Sequence, residues 1–140
     1  MQIAVALGAL AVELACARLA LAEDLPSLQP GLWSFSSTVI MKGSSKPQTR
    51  SLRKCTDASD DIRKKWAMLA QQSCKFTPVA RTGNRYSYSS TCQRNGMALE
   101  MKSTLTVDSR TAYRVETESR TNSQVQKEVV VAQRVGACTK

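Results

Sequence analysis

Histidine is absent from the 140-residue chain, and with it the side chain that most often serves as a general base near neutral pH. No two cysteines form a Cys-x-x-Cys pair, the spacing used by structural zinc sites and thioredoxin-type redox centres. Only 6 glycines and 4 prolines are present, which does not indicate a disordered or low-complexity linker. Aromatics are scarce, with two Trp, two Phe and three Tyr, so the core must rest largely on aliphatic and methionine side chains. A Gly-rich phosphate loop, a Ser-based triad order and clustered metal ligands are also missing. The paired acids have plain readings: Asp60-Asp61 suits a helix N-terminus, and Glu116 and Glu118 alternate along a solvated strand face. No catalytic residue, metal or cofactor is therefore expected, and the chain does not read as an enzyme.

Residues 3–22, "IAVALGALAVELACARLALA", are rich in Ala, Leu and Val and end in Ala20-Leu21-Ala22 before Glu23-Asp24. An apolar stretch closed by a small-x-small pattern predicts a secretory signal peptide over residues 1–22, cleaved between Ala22 and Glu23. No Lys or Arg precedes the run, and Glu13 and Arg18 interrupt it. Those charges argue against a transmembrane helix, which needs about 20 apolar residues. A lipid anchor on Cys16 would place Glu13 where an aliphatic residue belongs. Residues 23–140 then form a single domain, with no membrane span and an unchanged net charge of +9, since the lost segment carries one acid and one base.

Of the five cysteines, Cys16 leaves with the signal peptide; Cys55, Cys74, Cys92 and Cys138 remain. An even number in an oxidising compartment predicts two disulfides. "RTGNR", Arg81–Arg85, carries turn residues that tolerate positive φ. A three-residue loop at Thr82-Gly83-Asn84 places Cys74 directly opposite Cys92, within disulfide reach. Phe76, Pro78, Ala80, Tyr86 and Tyr88 then share the cysteine face, while Lys75, Thr77, Arg81, Arg85, Ser87 and Ser89 face away. Elimination pairs Cys55 with Cys138.

The same face can be followed onward. Asn95-Gly96 is a two-residue hairpin signal that opposes Cys92 to Leu99, Ser90 to Met101 and Tyr86 to Leu105. Met97, Leu99, Met101, Leu105 and Val107 fall on the cysteine face; Ala98, Glu100, Lys102, Thr104 and Thr106 fall on the other. A loop at Ser109-Arg110-Thr111 would oppose Val107 to Tyr113, Leu105 to Val115, Lys102 to Glu118 and Glu100 to Arg120. In the last strand, Val125–Val135, the Val129–Val131 run is apolar on both faces and leaves the register open.

Upstream, Leu32–Met41 puts Trp33, Phe35, Val39 and Met41 on one side, and Lys42–Pro47 turns the chain into a short strand around Thr49–Lys54. A helix follows Cys55, capped by Thr56 or Ser59, with Asp57, Asp60 and Asp61 in its first turn, Ile62, Trp66 and Leu69 on one stripe, and an end near Gln72. The predicted architecture is mainly β: a meander of six or seven antiparallel strands forming a curved sheet or open barrel, with one helix inserted between the second and third.

Pro30-Gly31-Leu32-Trp33 opening the first strand, Cys55-Thr56 leading into the helix, Cys74 and Cys92 flanking a hairpin, and Gly136-Ala137-Cys138 closing the chain together form a pattern. It resembles the exported bacterial proteins grouped as domain of unknown function 3617, across essentially all of residues 23–140. The resemblance implies export to the periplasm and the same disulfides; it implies no activity.

Two surfaces are candidate sites. Arg50, Arg53, Lys54 and Lys64 cluster around the start of the helix and form a candidate basic patch for an anionic envelope component such as lipopolysaccharide or lipid. Without an aromatic ladder on that face, nucleic acid is not an expected partner. Ser37, Ser90, Ser103 and Thr117 fall among the apolar residues of the cysteine face, where they would either line a cavity for a small apolar ligand or mark strand ends beyond the core. The expectation is a periplasmic or secreted, non-enzymatic binding or interaction module; the alternative is an envelope accessory or structural protein docking on anionic surfaces.

Overall fold

A computed structural model describes residues 25–71 and 74–139. The expected signal peptide, its Ala22–Glu23 cleavage point and Gln72 lie outside the described residues. The chain runs β1 (Gly31–Met41), β2 (Gln48–Thr56), α1 (Ala58–Gln71), β3 (Cys74–Phe76), β4 (Ala80–Thr82), β5 (Arg85–Arg94), β6 (Met97–Ser109), β7 (Ala112–Arg120) and β8 (Val125–Gly136). There are eight strands, not six or seven, because a break at Thr77–Val79 divides the first arm of the cysteine hairpin into β3 and β4.

The Asn95-Gly96 turn forms as its chemistry demands: both residues have positive φ, 51° and 75°, the condition for a hairpin turn whose twist matches its strands. Cys92 faces Leu99, Ser90 faces Met101 and Tyr86 faces Leu105. Between β6 and β7, Val107 faces Tyr113, Leu105 faces Val115, Lys102 faces Glu118 and Glu100 faces Arg120. The connection itself is one residue tighter than expected: Ser109 pairs with Ala112, and the register shifts between Val107 and Ser109. A bulge at Asp108 therefore absorbs the residue assigned to the loop.

The cysteine hairpin also departs from the expected register. Cys74 faces Cys92, but beyond Thr77–Val79 the pairs become Ala80 with Ser87, Arg81 with Tyr86 and Thr82 with Arg85. The turn is the two residues Gly83 and Asn84, with Gly83 at φ +61°. Pro78 has no N–H to give the ladder, so the extra residue is accommodated beside it. Alternation flips there. Val79, not Ala80, packs against the core, and Arg81, expected on the outer face, lies over the Tyr86 ring with its guanidinium carbon 5.2 Å from the centroid.

Strand order is β2-β1-β8-β7-β6-β5-β3, with β4 also on β5. The expected simple meander holds only from β5 to β8, because the first strand pairs with the last. Trp33 faces Arg134 and Phe35 faces Ala132 across that junction, which settles the register left open by the Val129–Val131 run and turns Val130 inward. The sheet does not close into a barrel; β2 forms one edge and β3 with β4 the other.

The helix α1 leaves the β2 edge and reaches the β3 edge, covering one face. Its cap is Asp57, whose carboxylate accepts the Asp60 N–H at 3.1 Å. Thr56 and Ser59, the expected caps, are otherwise engaged: the Thr56 hydroxyl donates to Asp61 at 2.7 Å, and that of Ser59 donates to the Pro26 carbonyl at 2.7 Å while accepting the Leu28 N–H at 2.8 Å. Ala58, Ile62 and Leu69 are buried on the helix stripe. Ala58 and Ile62 join Trp33, Tyr86, Leu105, Tyr113 and Ala132 in the core.

Two disulfides pin this arrangement. Cys74 and Cys92 bridge opposed residues with Cα atoms 4.0 Å apart, and Cys55 and Cys138 tie β2 to the segment following β8 at 5.6 Å. At the start of β1, Gly31 has φ +154°, and a Cβ there would lie 2.5 Å from both the Arg134 Nε and the Gly136 carbonyl. Arg134 donates from that Nε to the Pro30 carbonyl at 2.8 Å. The close approach of β8 to the Pro-Gly-Leu-Trp segment thus requires glycine.

Candidate functional site

Every aromatic residue of the chain belongs to the sheet face under α1 or to α1 itself. Trp33 lies 5.6 Å from Tyr113 and 6.4 Å from Phe35. Trp66, on the helix, lies 5.5 Å from Tyr88 and 6.2 Å from Tyr86, and Phe76 is 5.8 Å from Tyr88. Such pairs add packing specificity to the burial each ring supplies. Where few rings are available, their concentration on one face marks it as the organised part of the molecule.

The helix does not fill that face. A cleft of about 270 Å³ remains between α1 and the sheet, lined by Phe35, Leu52, Tyr88, Tyr113, Val115 and Val130 on the sheet side and by Ile62 and Trp66 on the helix side. Charged groups also contribute: Lys54 from β2, and Asp61 and Lys65 from α1. The volume sits just below the roughly 300 Å³ at which small-molecule pockets begin, and apolar walls with few polar groups are their usual make-up.

Asp61 is fixed from two sides. It accepts the Thr56 hydroxyl at 2.7 Å and the Lys54 ammonium at 3.2 Å. Partial burial works to raise its pKa, but the two hydrogen bonds and the charges of Lys54 and Lys64 outweigh that and hold the carboxyl below 3.8. Burial, reinforced by the nearby Asp61 charge and Tyr88, pushes the Tyr113 phenol up to about 12. The cleft therefore presents, near neutral pH, an ion pair, an ammonium and an uncharged phenol.

The expected basic patch is divided. Strand alternation puts Arg50 and Lys54 on the cleft face of β2, whereas Arg53, opposite Ser34, points the other way. Lys64 is held at 2.6 Å by Asp60, so two of the four residues share a face and one is neutralised locally. Polar groups among the apolar residues of the inner face pair with one another. Ser103 and Thr117 share a hydrogen bond at 3.0 Å, and Ser37 donates to Glu128 at 2.6 Å. Ser90 and Ser103 are buried, and no buried side-chain polar atom among the described residues lacks a partner.

Sequence reasoning did not single out Leu52, Lys65, Val130 or Glu128. Leu52 stands alone among polar neighbours on a short strand, and Lys65 was one base of the Arg63-Lys64-Lys65 run. The inward turn of Val130 and Glu128 follows from pairing with β1, a partner no local pattern names. Among the described residues no group of His, Cys, Asp and Glu is placed to hold a metal, and no helix is long and apolar enough to cross a membrane.

No curated protein and no solved structure matches the chain. Residues 28–138, from the core Leu28 to the disulfide-bonded Cys138, match the family described as "Protein of unknown function (DUF3617)". That span takes in the glycine-dependent start of β1, both disulfides, α1 and the cleft beneath it, and the chain belongs to the DUF3617 family.

Proposed function

We propose that this chain is exported to the bacterial periplasm and works there as a non-enzymatic binding module of the cell envelope, with the cleft beneath α1 as its site. The observation that carries the reading is an open cleft of about 270 Å³ on the face where all the aromatics gather. An enzyme is a poorer reading. The chain has no histidine, its four described cysteines are bridged, and Asp61 is committed to Thr56 and Lys54. The export half of the proposal rests on the apolar residues 3–22, the Ala20-Leu21-Ala22 ending and the disulfides, which persist in oxidising compartments.

The test is mass spectrometry of the protein recovered from periplasm, first native and then denatured without reductant. A chain beginning at Glu23, lighter by about four hydrogens for two bridges and carrying a bound small molecule in its native state, is the expected result. A chain retaining residues 1–22 in the cytoplasm would overturn the export reading. A protein consistently free of ligand would turn attention to the second reading, docking on an anionic surface through Arg50 and Lys54 on the β2 edge.

A further inference from the structure

Resting on the cleft as a binding site, we propose that its ligand is a single-chain amphiphile with an anionic head: the alkyl chain lies against Phe35, Val115, Val130 and Trp66, and the head sits at the mouth beside Lys65. The volume sets the number of chains. A dry 150 Å³ cavity accommodates a molecule of about benzene's size, so about 270 Å³ suits one alkyl chain or one ring system and excludes a two-chain lipid. The walls determine the tail, since Phe35, Leu52, Val115, Val130, Ile62 and Trp66 offer no charge.

The mouth determines the head. Lys54 and Asp61 neutralise each other at 3.2 Å, whereas Lys65 has no ion-pair partner among the described residues and leaves the cleft with an excess positive charge. Arg50 adds a second positive charge on the same face of β2, beyond Leu52. Tyr113, which lines the cleft, makes no side-chain hydrogen bond among the described residues and keeps its proton below about 12. A cationic head would meet Lys65 unfavourably, and a neutral head would forgo the charge pair that an anionic head makes with it.

Trp66 provides the readout, because it forms part of the cleft wall while Trp33, fully buried, stays constant. The experiment titrates the disulfide-intact protein with dodecanoate, dodecanol and dodecyltrimethylammonium below their micelle concentrations, and with phosphatidylglycerol vesicles, following tryptophan fluorescence. Dodecanoate is expected to bind most tightly. Lys65→Gln should weaken it roughly three- to fivefold, the scale of one exposed ion pair, and leave dodecanol unchanged. Leu52→Glu, at a position 61% exposed and so tolerant of charge, should abolish the response to both. Equal binding of dodecanol and dodecanoate, or tighter binding of the ammonium, would overturn the anionic head while leaving the cleft as a site. Vesicle binding without a response to any soluble amphiphile would overturn the single-chain ligand in favour of surface docking. No response to any probe, from protein with an intact near-ultraviolet dichroism spectrum, would overturn the cleft reading as well.

Discussion

Lys54 on β2 and Asp61 in the first turn of α1 meet at 3.2 Å, joining the sheet edge to the helix at the mouth of the cleft. Because Thr56 also donates to Asp61, the carboxylate is held in its charged form, below 3.8. A carboxyl whose pKa is lowered by folding stabilises the protein above its unfolded pKa, and the contribution fades as pH falls through the folded value. Stability is therefore expected to drop below about pH 4, and Asp61→Asn should remove part of that drop. With both side chains substantially exposed, 53% and 37%, the ion pair itself is worth about 1 kcal/mol or less near pH 7. Urea unfolding of both proteins between pH 3 and 7 is the measurement; identical pH profiles would refute the assignment.

Tyr113 carries the opposite sign. Its pKa is raised from 10.0 to about 12, so the unfolded chain gives up the phenolic proton first. The associated stability is complete below about pH 10 and is lost as pH rises toward 12, in total about 2–3 kcal/mol at 1.36 kcal/mol per pH unit. Spectrophotometric titration of the folded protein should show a late phenol ionisation at about pH 12. Tyr113→Phe should abolish that late step, and its survival in the variant would place the perturbed phenol elsewhere.

Gly31→Ala should be costly for a residue without a side chain. The added methyl would enter the space of the Arg134 guanidinium and the Gly136 carbonyl, and forced overpacking typically costs about 1–3 kcal/mol. A thermal midpoint lowered by several degrees is expected. A melt indistinguishable from that of the parent would mean that β8 can retreat from β1 at no cost.

Serine replacement of Cys74 and Cys92 removes a link across a separation of 18 residues, worth about 3 kcal/mol on the chain-entropy view. The same change at Cys55 and Cys138, separated by 83, should cost more, by about 1 kcal/mol. Local effects should differ too. Hydrogen exchange in the first variant is expected to rise at β3, which has only three residues, and in the second at β2. The reverse pattern would show that the bridges do not act locally.

Much of this fold could be read where turn chemistry is unambiguous. Asn95-Gly96 specifies a two-residue turn, and the pairings of β5 with β6 follow from it; alternation then carries the face into β7. Reading failed where two local solutions cost nearly the same. Thr82-Gly83-Asn84 and Gly83-Asn84 are both acceptable turns, and the choice rests on a bulge beside Pro78 that only the packing of Val79 against the core makes worthwhile. Val129–Val131 offers two equally apolar faces, and β1, far away in the chain, selects between them. A cavity on this face was an open expectation, but Ser37, Ser90, Ser103 and Thr117 do not line it; its true lining was hidden for a related reason, since the walls come from β1, β2, β5, β6, β7, β8 and α1, and Leu52 and Lys65 gain meaning only when β2 and the helix stand side by side.

The pairing of β1 with β8 has a consequence for the order of events. Pro30 and Arg134, joined by a hydrogen bond at that seam, stand 104 residues apart, and β8 lies between β1 and β7 in the sheet. Until Val125–Gly136 has emerged, β1 and β2 have no sheet to join. Contacts of such long sequence separation also make folding slow. A nascent chain of this design should remain pliable until Val125–Gly136 has emerged. Ribosome-stalled chains ending at Gln124 are therefore expected to be fully protease-sensitive, whereas chains with Lys140 clear of the exit tunnel should become resistant once oxidised.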